Sequence, residues 1–205
     1  MKYYKVEGKN EEEILAQVET QYNLKKEDIF YRIEEKNGGL FKGKKIVASV
    51  LPKEEIKNYI FDFFEKLESA MGFSIETKVE NPSDNLFKIT IDTEDNAILI
   101  GKEGKNLRAL QKILKQAIVS RTDFNVKINL EIGDYKEQKL KRIESLTRKL
   151  AQEVIRTKVD VKMDSMNSYE RRFVHNLISE YTMLTTQSEG EEPNRYVVIK
   201  YKDKN

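Results

Sequence analysis

Gly101-Lys102-Glu103-Gly104, followed by Lys105-Asn106-Leu107-Arg108, is the stretch of this chain whose residue types are spaced for chemistry. Glycines at 101 and 104 leave no Cβ atoms where a chain of sugar and phosphate would have to approach. A helix starting directly after them turns unpaired N–H groups and the positive end of its dipole toward an anion. Lys102 and Lys105 add charge at the bend. Lys105, Arg108, Lys112 and Lys115 continue it at three- and four-residue steps, which makes one helical face a basic stripe. Leu107, Leu110, Leu114 and Ile118 fall on the opposing face, and Glu103 tempers the charge of the bend. This is chemistry for seating a polynucleotide backbone. Nucleotide hydrolysis is disfavoured: Gly104-Lys105-Asn106 has no hydroxyl residue after the lysine and no glycine at the earlier position that a phosphate loop needs. The plainer reading is a turn whose glycines permit tight packing.

Arg171-Arg172-Phe173-Val174-His175 is the second such stretch. On a helix Arg171 and His175 share a face, which gives an R-x-x-x-H arrangement. A lone histidine at such a place often only satisfies a backbone carbonyl. Here Asn167 offers a helix cap with Glu170 three residues on. A Ser188-Glu189-Gly190-Glu191-Glu192-Pro193 turn and a strand carrying Arg195 follow.

Composition narrows the classes. The chain has 205 residues, 39% apolar and 35% charged, which fits several small domains with much surface. Net charge is only +2, so any polyanion must be met by local stripes. Residues 1–52 carry ten basic and nine acidic groups, residues 53–133 twelve and fourteen, and residues 134–205 fifteen and twelve. Cysteine is absent and there is one histidine, so thiolate sites are excluded, and no metal or cofactor is expected. No apolar run approaches a membrane span, and the first residues lack the apolar core of a signal peptide. A cytoplasmic protein is expected.

The elements that must position these residues follow from periodicity. The fold class is α+β in three small domains, 1–52, 53–133 and 134–205. The first reads strand, helix, strand, strand. It has a capping box from Asn10 to Glu13 and a turn at Gly38–Gly43 that shows Leu40 and Phe41 at its tip or is a plain hairpin. The second reads helix 53–71, closed by Gly72, then two strands joined through Asn81–Asn85. A short helix into the Gly101–Gly104 bend, a helix over 105–122 and a strand over 126–132 complete it. The third reads helix 135–157 burying Leu140, Ile143, Leu146, Leu150 and Val154, a connector, a helix from 168 to about 181, and a closing hairpin.

Three stretches, Gly38–Gly43, Ile100–Gln111 and Ser165–Ile199, carry a resemblance that covers essentially the whole chain. In this order of modules the chain resembles the bacterial Jag family: an N-terminal module, a type II-like KH domain, and an R-x-x-x-H or "R-three-H" domain. Ser168 stands where the family usually has proline, and the direct join at Pro52 replaces a long linker present in several relatives. The resemblance implies a non-enzymatic binder of single-stranded RNA linked to control of cell elongation and division. It implies contacts from Gly101, Lys102, Glu103, Gly104, Lys105, Arg108 and Lys112, and from Arg171, Arg172, His175 and Arg195. Bases would lie over Ile98, Ile100 and Leu107 beside a strand edge. Single-stranded DNA is the other ligand open to the R-three-H domain. A small KH-only protein, or a second copy, is the implied dimer partner. The alternative is an adaptor whose KH domain serves dimerisation and whose N-terminal module docks a membrane-associated protein. A nuclease would need converging carboxylates that the spacing does not provide.

Overall fold

The computed structural model describes residues 1–36 and 45–202, so the expected Gly38–Gly43 turn lies outside the described residues. The fold is α+β, and the chain divides into two compact units, Met1–Gly133 and Asp134–Asn205.

The first unit begins with strand β1 (Tyr4–Gly8), helix α1 (Glu11–Tyr22) and strands β2 (Ile29–Lys36) and β3 (Lys45–Pro52). The sheet order is β1-β3-β2, antiparallel throughout. Val6, Ile14, Val18, Ile29, Ala48 and Val50 form its core, because period-two strands and a period-3.6 helix turn these residues toward one another. Asn10 caps α1 by accepting from the Glu13 N–H at 2.8 Å. The Glu13 carboxylate accepts from the Lys9 N–H instead of that of Asn10, which shifts the expected box by one residue.

Pro52 ends β3 and directly precedes helix α2 (Lys53–Met71), which stops at a left-handed Gly72. Strands β4 (Glu76–Ser83) and β5 (Leu86–Asp92) follow as an antiparallel pair. The turn between them is tighter than the expected Asn81–Asn85. The Asn81 amide donates to the carbonyls of Ser83 and Leu86 and keeps the chain in the strand through a register shift. β5 then pairs in parallel with β6 (Lys127–Ile132). Parallel neighbours need a crossover, and helices α3 (Asn96–Ile100) and α4 (Lys105–Thr122) supply it. Leu107, Leu114 and Ile118 bury α4.

The two sheets of this unit are welded at the far end of α4. Phe30 stacks on Phe124 at 5.3 Å and lies 6.5 Å from Phe87. The Tyr3 hydroxyl donates to the carbonyls of Arg121 and Thr122, and Arg32 Nη2 donates to that of Asp123 at 2.9 Å. The last turn of a helix leaves carbonyls without partners and carries the negative end of the dipole, so a tyrosine and an arginine are suited to close it.

The second unit has helix α5 (Tyr135–Thr157), strand β7 (Val161–Lys162), helix α6 (Ser168–Ser179) and strands β8 (Leu184–Glu189) and β9 (Tyr196–Tyr201). Its sheet order is β7-β9-β8, antiparallel. α5 buries Thr147, Ala151 and Val154, while Leu146, expected inside, is exposed. It sits one residue off a buried stripe stepping by four and three. Thr147 can occupy that stripe because its hydroxyl donates to the Ile143 carbonyl at 2.7 Å. α6 ends two residues before the expected Tyr181. The N–H groups of Glu180 and Tyr181 reach back only three residues, to Leu177 and Ile178, and tighten the helix shut.

Phe87 is fully buried where the two sheets of the first unit meet. Phe87→Ala is expected to cost that unit about 3–5 kcal/mol, read as a lower urea midpoint by circular dichroism.

Candidate nucleic-acid interface

The bend lies at the apex of the α3–α4 crossover. α3 ends when the Gly101 N–H closes on the Ala97 carbonyl at 2.9 Å. Gly101 has φ 66° and ψ 177°, a region essentially reserved for glycine. Lys102–Gly104 form one 3-10 turn in which Glu103 (φ 54°) and Gly104 (φ 74°) are left-handed, and the Gly104 N–H reaches the Gly101 carbonyl at 3.1 Å. Lys102 and Glu103 are exposed, but Gly104 is buried, so it does not present bare backbone to solvent as the spacing predicts.

Gly101 is constrained from within the protein. A Cβ there would stand 2.5 Å from Asn106 Cγ and 2.7 Å from its Nδ2. Asn106 Nδ2 donates to the Ile98 carbonyl at 2.8 Å, and Arg108 Nη1 donates to the Glu103 carbonyl at 2.8 Å. Lys102, Lys105, Arg108, Lys112 and Lys115 are all exposed, and the structure brings them into one stripe running from the bend along α4. Beside the bend Ile98 is 50% exposed and Ile100 half-buried, whereas Leu107, expected to line the groove, is in the core. Gln111 Oε1 accepts from the Leu130 N–H at 3.0 Å and covers part of the β6 edge. Asn106 and Gln111 escape sequence reasoning because neither is charged. An amide two residues past a glycine pair is the only trace Asn106 leaves.

In the second unit Asn167 and Glu170 form the expected capping box, and Glu170 Oε1 also meets Lys139 Nζ at 2.7 Å. Arg171 and His175 share a face of α6, but that face is turned inward. Arg171 is 7% exposed, and its Nη1 is held by the Met166 carbonyl and the Glu192 carboxylate, each at 2.8 Å. His175 is half-buried, with Nδ1 2.6 Å from Thr186 Oγ1 and Nε2 2.8 Å from Ser188 Oγ on β8. An i, i+4 spacing fixes a shared face without saying which way it points. The expected open contact surface of Arg171 is therefore corrected to an internal clamp. Arg172 is exposed, and Arg195 is half-buried. The Arg195 Nε is buried without a hydrogen-bond partner, and its backbone carbonyl accepts from the Met166 N–H.

Among the described residues no group of three or more His, Cys, Asp or Glu side chains is arranged to hold a metal ion, and no helix is long and apolar enough to cross a membrane. Burial, and then the nearby Arg171 guanidinium, push the His175 pKa below its ordinary value. Because the folded pKa is the lower one, this histidine's contribution to stability is complete above about pH 6.5 and is lost as pH falls through the folded pKa. As the chain's one histidine, it gives a single imidazole titration by NMR, expected with a midpoint below about 6.5.

The model of the KhpA/KhpB KH domain matches residues 57–132, and that of the R-three-H domain matches residues 141–201. The RNA-binding protein KhpB of Clostridium symbiosum is 29% identical over 204 residues, 98% of this chain and 92% of that protein. Its namesake in Streptococcus pneumoniae is 34% identical over 111 residues, which is 54% of this chain and only 34% of that one. The Bacillus subtilis KhpB is 27% identical over 160 residues, 77% of this chain and 74% of that one. With these two domains in this order, and a relative matched almost from end to end, the chain is similar to the bacterial KhpB proteins.

Proposed function

We propose that this protein binds single-stranded RNA without cleaving it. The observation that carries the reading is the continuous run of exposed Lys102, Lys105, Arg108, Lys112 and Lys115 leading from a fixed Gly-x-x-Gly bend. In a KH domain such a bend clamps about four nucleotides of backbone. Lys102, Lys105 and Lys112 hold phosphates, the backbone of Gly101, Glu103 and Gly104 shapes the seat, and Ile98 and Ile100 support bases beside it. In the second unit Arg172 and Arg195 supply the charge, while Arg171 and His175 fix α6 against β8 and the turn at Glu192. The curated relatives carry the name RNA-binding protein, which supports the reading. The family resemblance extends it to a cytoplasmic regulator of cell elongation and division.

Fluorescence anisotropy with a short labelled single-stranded RNA tests this. Affinity is expected to fall with salt, and Lys102→Ala with Lys105→Ala to flatten the salt slope by about 1.4, near 0.7 for each phosphate that no longer meets a lysine. Unchanged affinity and slope would refute the site, and RNA shortened by the pure protein with magnesium would refute the non-cleaving role. This pair is cleaner than aspartates at Gly101 and Gly104, since a Cβ at 101 collides with Asn106 and reshapes the bend.

A second reading has its own observation. Ile113 is 58% exposed and, with Lys112, Gln116, Ala117 and Ser120, lines a shallow apolar depression on α4. Ile113 lies about 140° around the helix from Arg108, so a second copy or a KH-only partner could dock there and cover only Lys112 of the basic stripe. Ile113→Glu is expected to convert a dimer to a monomer in light scattering. A wild type that is monomeric at every concentration removes this reading.

A further inference from the structure

We infer that Asn106 is a positioning residue for the RNA-binding bend and that its side chain adds a second reason, beside the backbone conformation, for glycine at 101; the inference rests on the reading above. Three observations converge. The Ile98 carbonyl lies in the last turn of α3, where helix geometry provides no partner, and Asn106 Nδ2 donates to it at 2.8 Å. The same amide fills the space a Cβ at Gly101 would need, with all three of its terminal heavy atoms between 2.5 and 2.9 Å from that point. On the other flank Arg108 Nη1 ties the Glu103 carbonyl at 2.8 Å. The bend is thus strapped twice by the first turns of α4, once to the helix before it and once to its own middle.

This changes what the first glycine of the motif does. A glycine kept bare for a ligand would leave open space over its Cα. Here that space is occupied by the protein's own amide, and the ligand meets Lys102 and the outer edge of the turn. Asn106 is itself exposed, so its role is not to fill the core. It holds Gly101, Glu103 and Gly104 at positive φ angles that a free chain seldom visits, so RNA meets a seat already formed.

Asn106→Ala tests the inference with two readouts. RNA affinity is expected to drop about fivefold, the worth of one neutral hydrogen bond. The salt slope stays that of the wild type, because every phosphate keeps its lysine. In the absence of RNA, the Gly104 amide, which bonds to the Gly101 carbonyl, exchanges faster with deuterium in the variant. A double-mutant cycle adds a third check: Gly101→Ala weakens binding less in the Asn106→Ala background than in the wild type. Wild-type affinity in Asn106→Ala overturns the proposal, and so does a flatter salt slope, which would mean that lysine–phosphate contacts were lost. Unchanged Gly104 exchange also overturns it. Failure of the RNA-binding reading looks different, since the lysine pair would then have no effect while the exchange result still stands.

Discussion

Two neighbouring strands that run the same way cannot be joined by a tight turn. The parallel pairing of β5 with β6 is therefore the constraint on which the site depends. The chain must leave the end of β5, cross the sheet and return to the start of β6. Only a helical detour does so while satisfying its backbone. Splitting that detour into α3 and α4 creates one sharp corner, and Gly101–Gly104 is that corner. The basic stripe of α4 is fixed by the same geometry. Burying Leu107, Leu114 and Ile118 against the sheet sends Arg108, Lys112 and Lys115 outward.

The second unit solves a related problem with charge. Its helices α5 and α6 are joined by the Lys139–Glu170 pair at 2.7 Å, and Glu170 also completes the cap of its own helix. Arg171, the next residue, is drawn inside by Met166 and Glu192. The Lys139–Glu170 pair has little solvent around it, so removing one partner would leave a charge poorly compensated. The conspicuous residues of the R-x-x-x-H pattern thus serve the frame, whereas the less conspicuous Arg172 is exposed.

Much of the fold was legible because periodicity reports local geometry. Asn10, Gly72, Asn167 and the alternation in β5 and β6 each mark an element by a local rule, and the structure agrees with them. The errors came where a decision depends on something distant. Leu146 and Thr147 are neighbours whose burial is decided by where α6 and the sheet lie, and hydropathy ranks them the wrong way round. Leu107 looks like groove lining until the sheet beneath α4 is in place. Arg171 looks like a ligand contact until Glu192, twenty-one residues on, arrives beside it. Asn106 was invisible for another reason: its meaning lies in the space it shares with Gly101, and a sequence does not display occupied volume.

The seal formed by Tyr3, Phe30 and Arg32 at the end of α4 has a mechanical corollary. α4 is a stiff rod of 18 residues, roughly 27 Å long, with its tail clamped by the N-terminal module and its head set in the Gly101–Gly104 corner. β3 runs straight into α2 through Pro52, so no slack separates that module from the rest of the unit. A tug or twist applied at β1 is therefore delivered along the rod instead of being absorbed by a hinge.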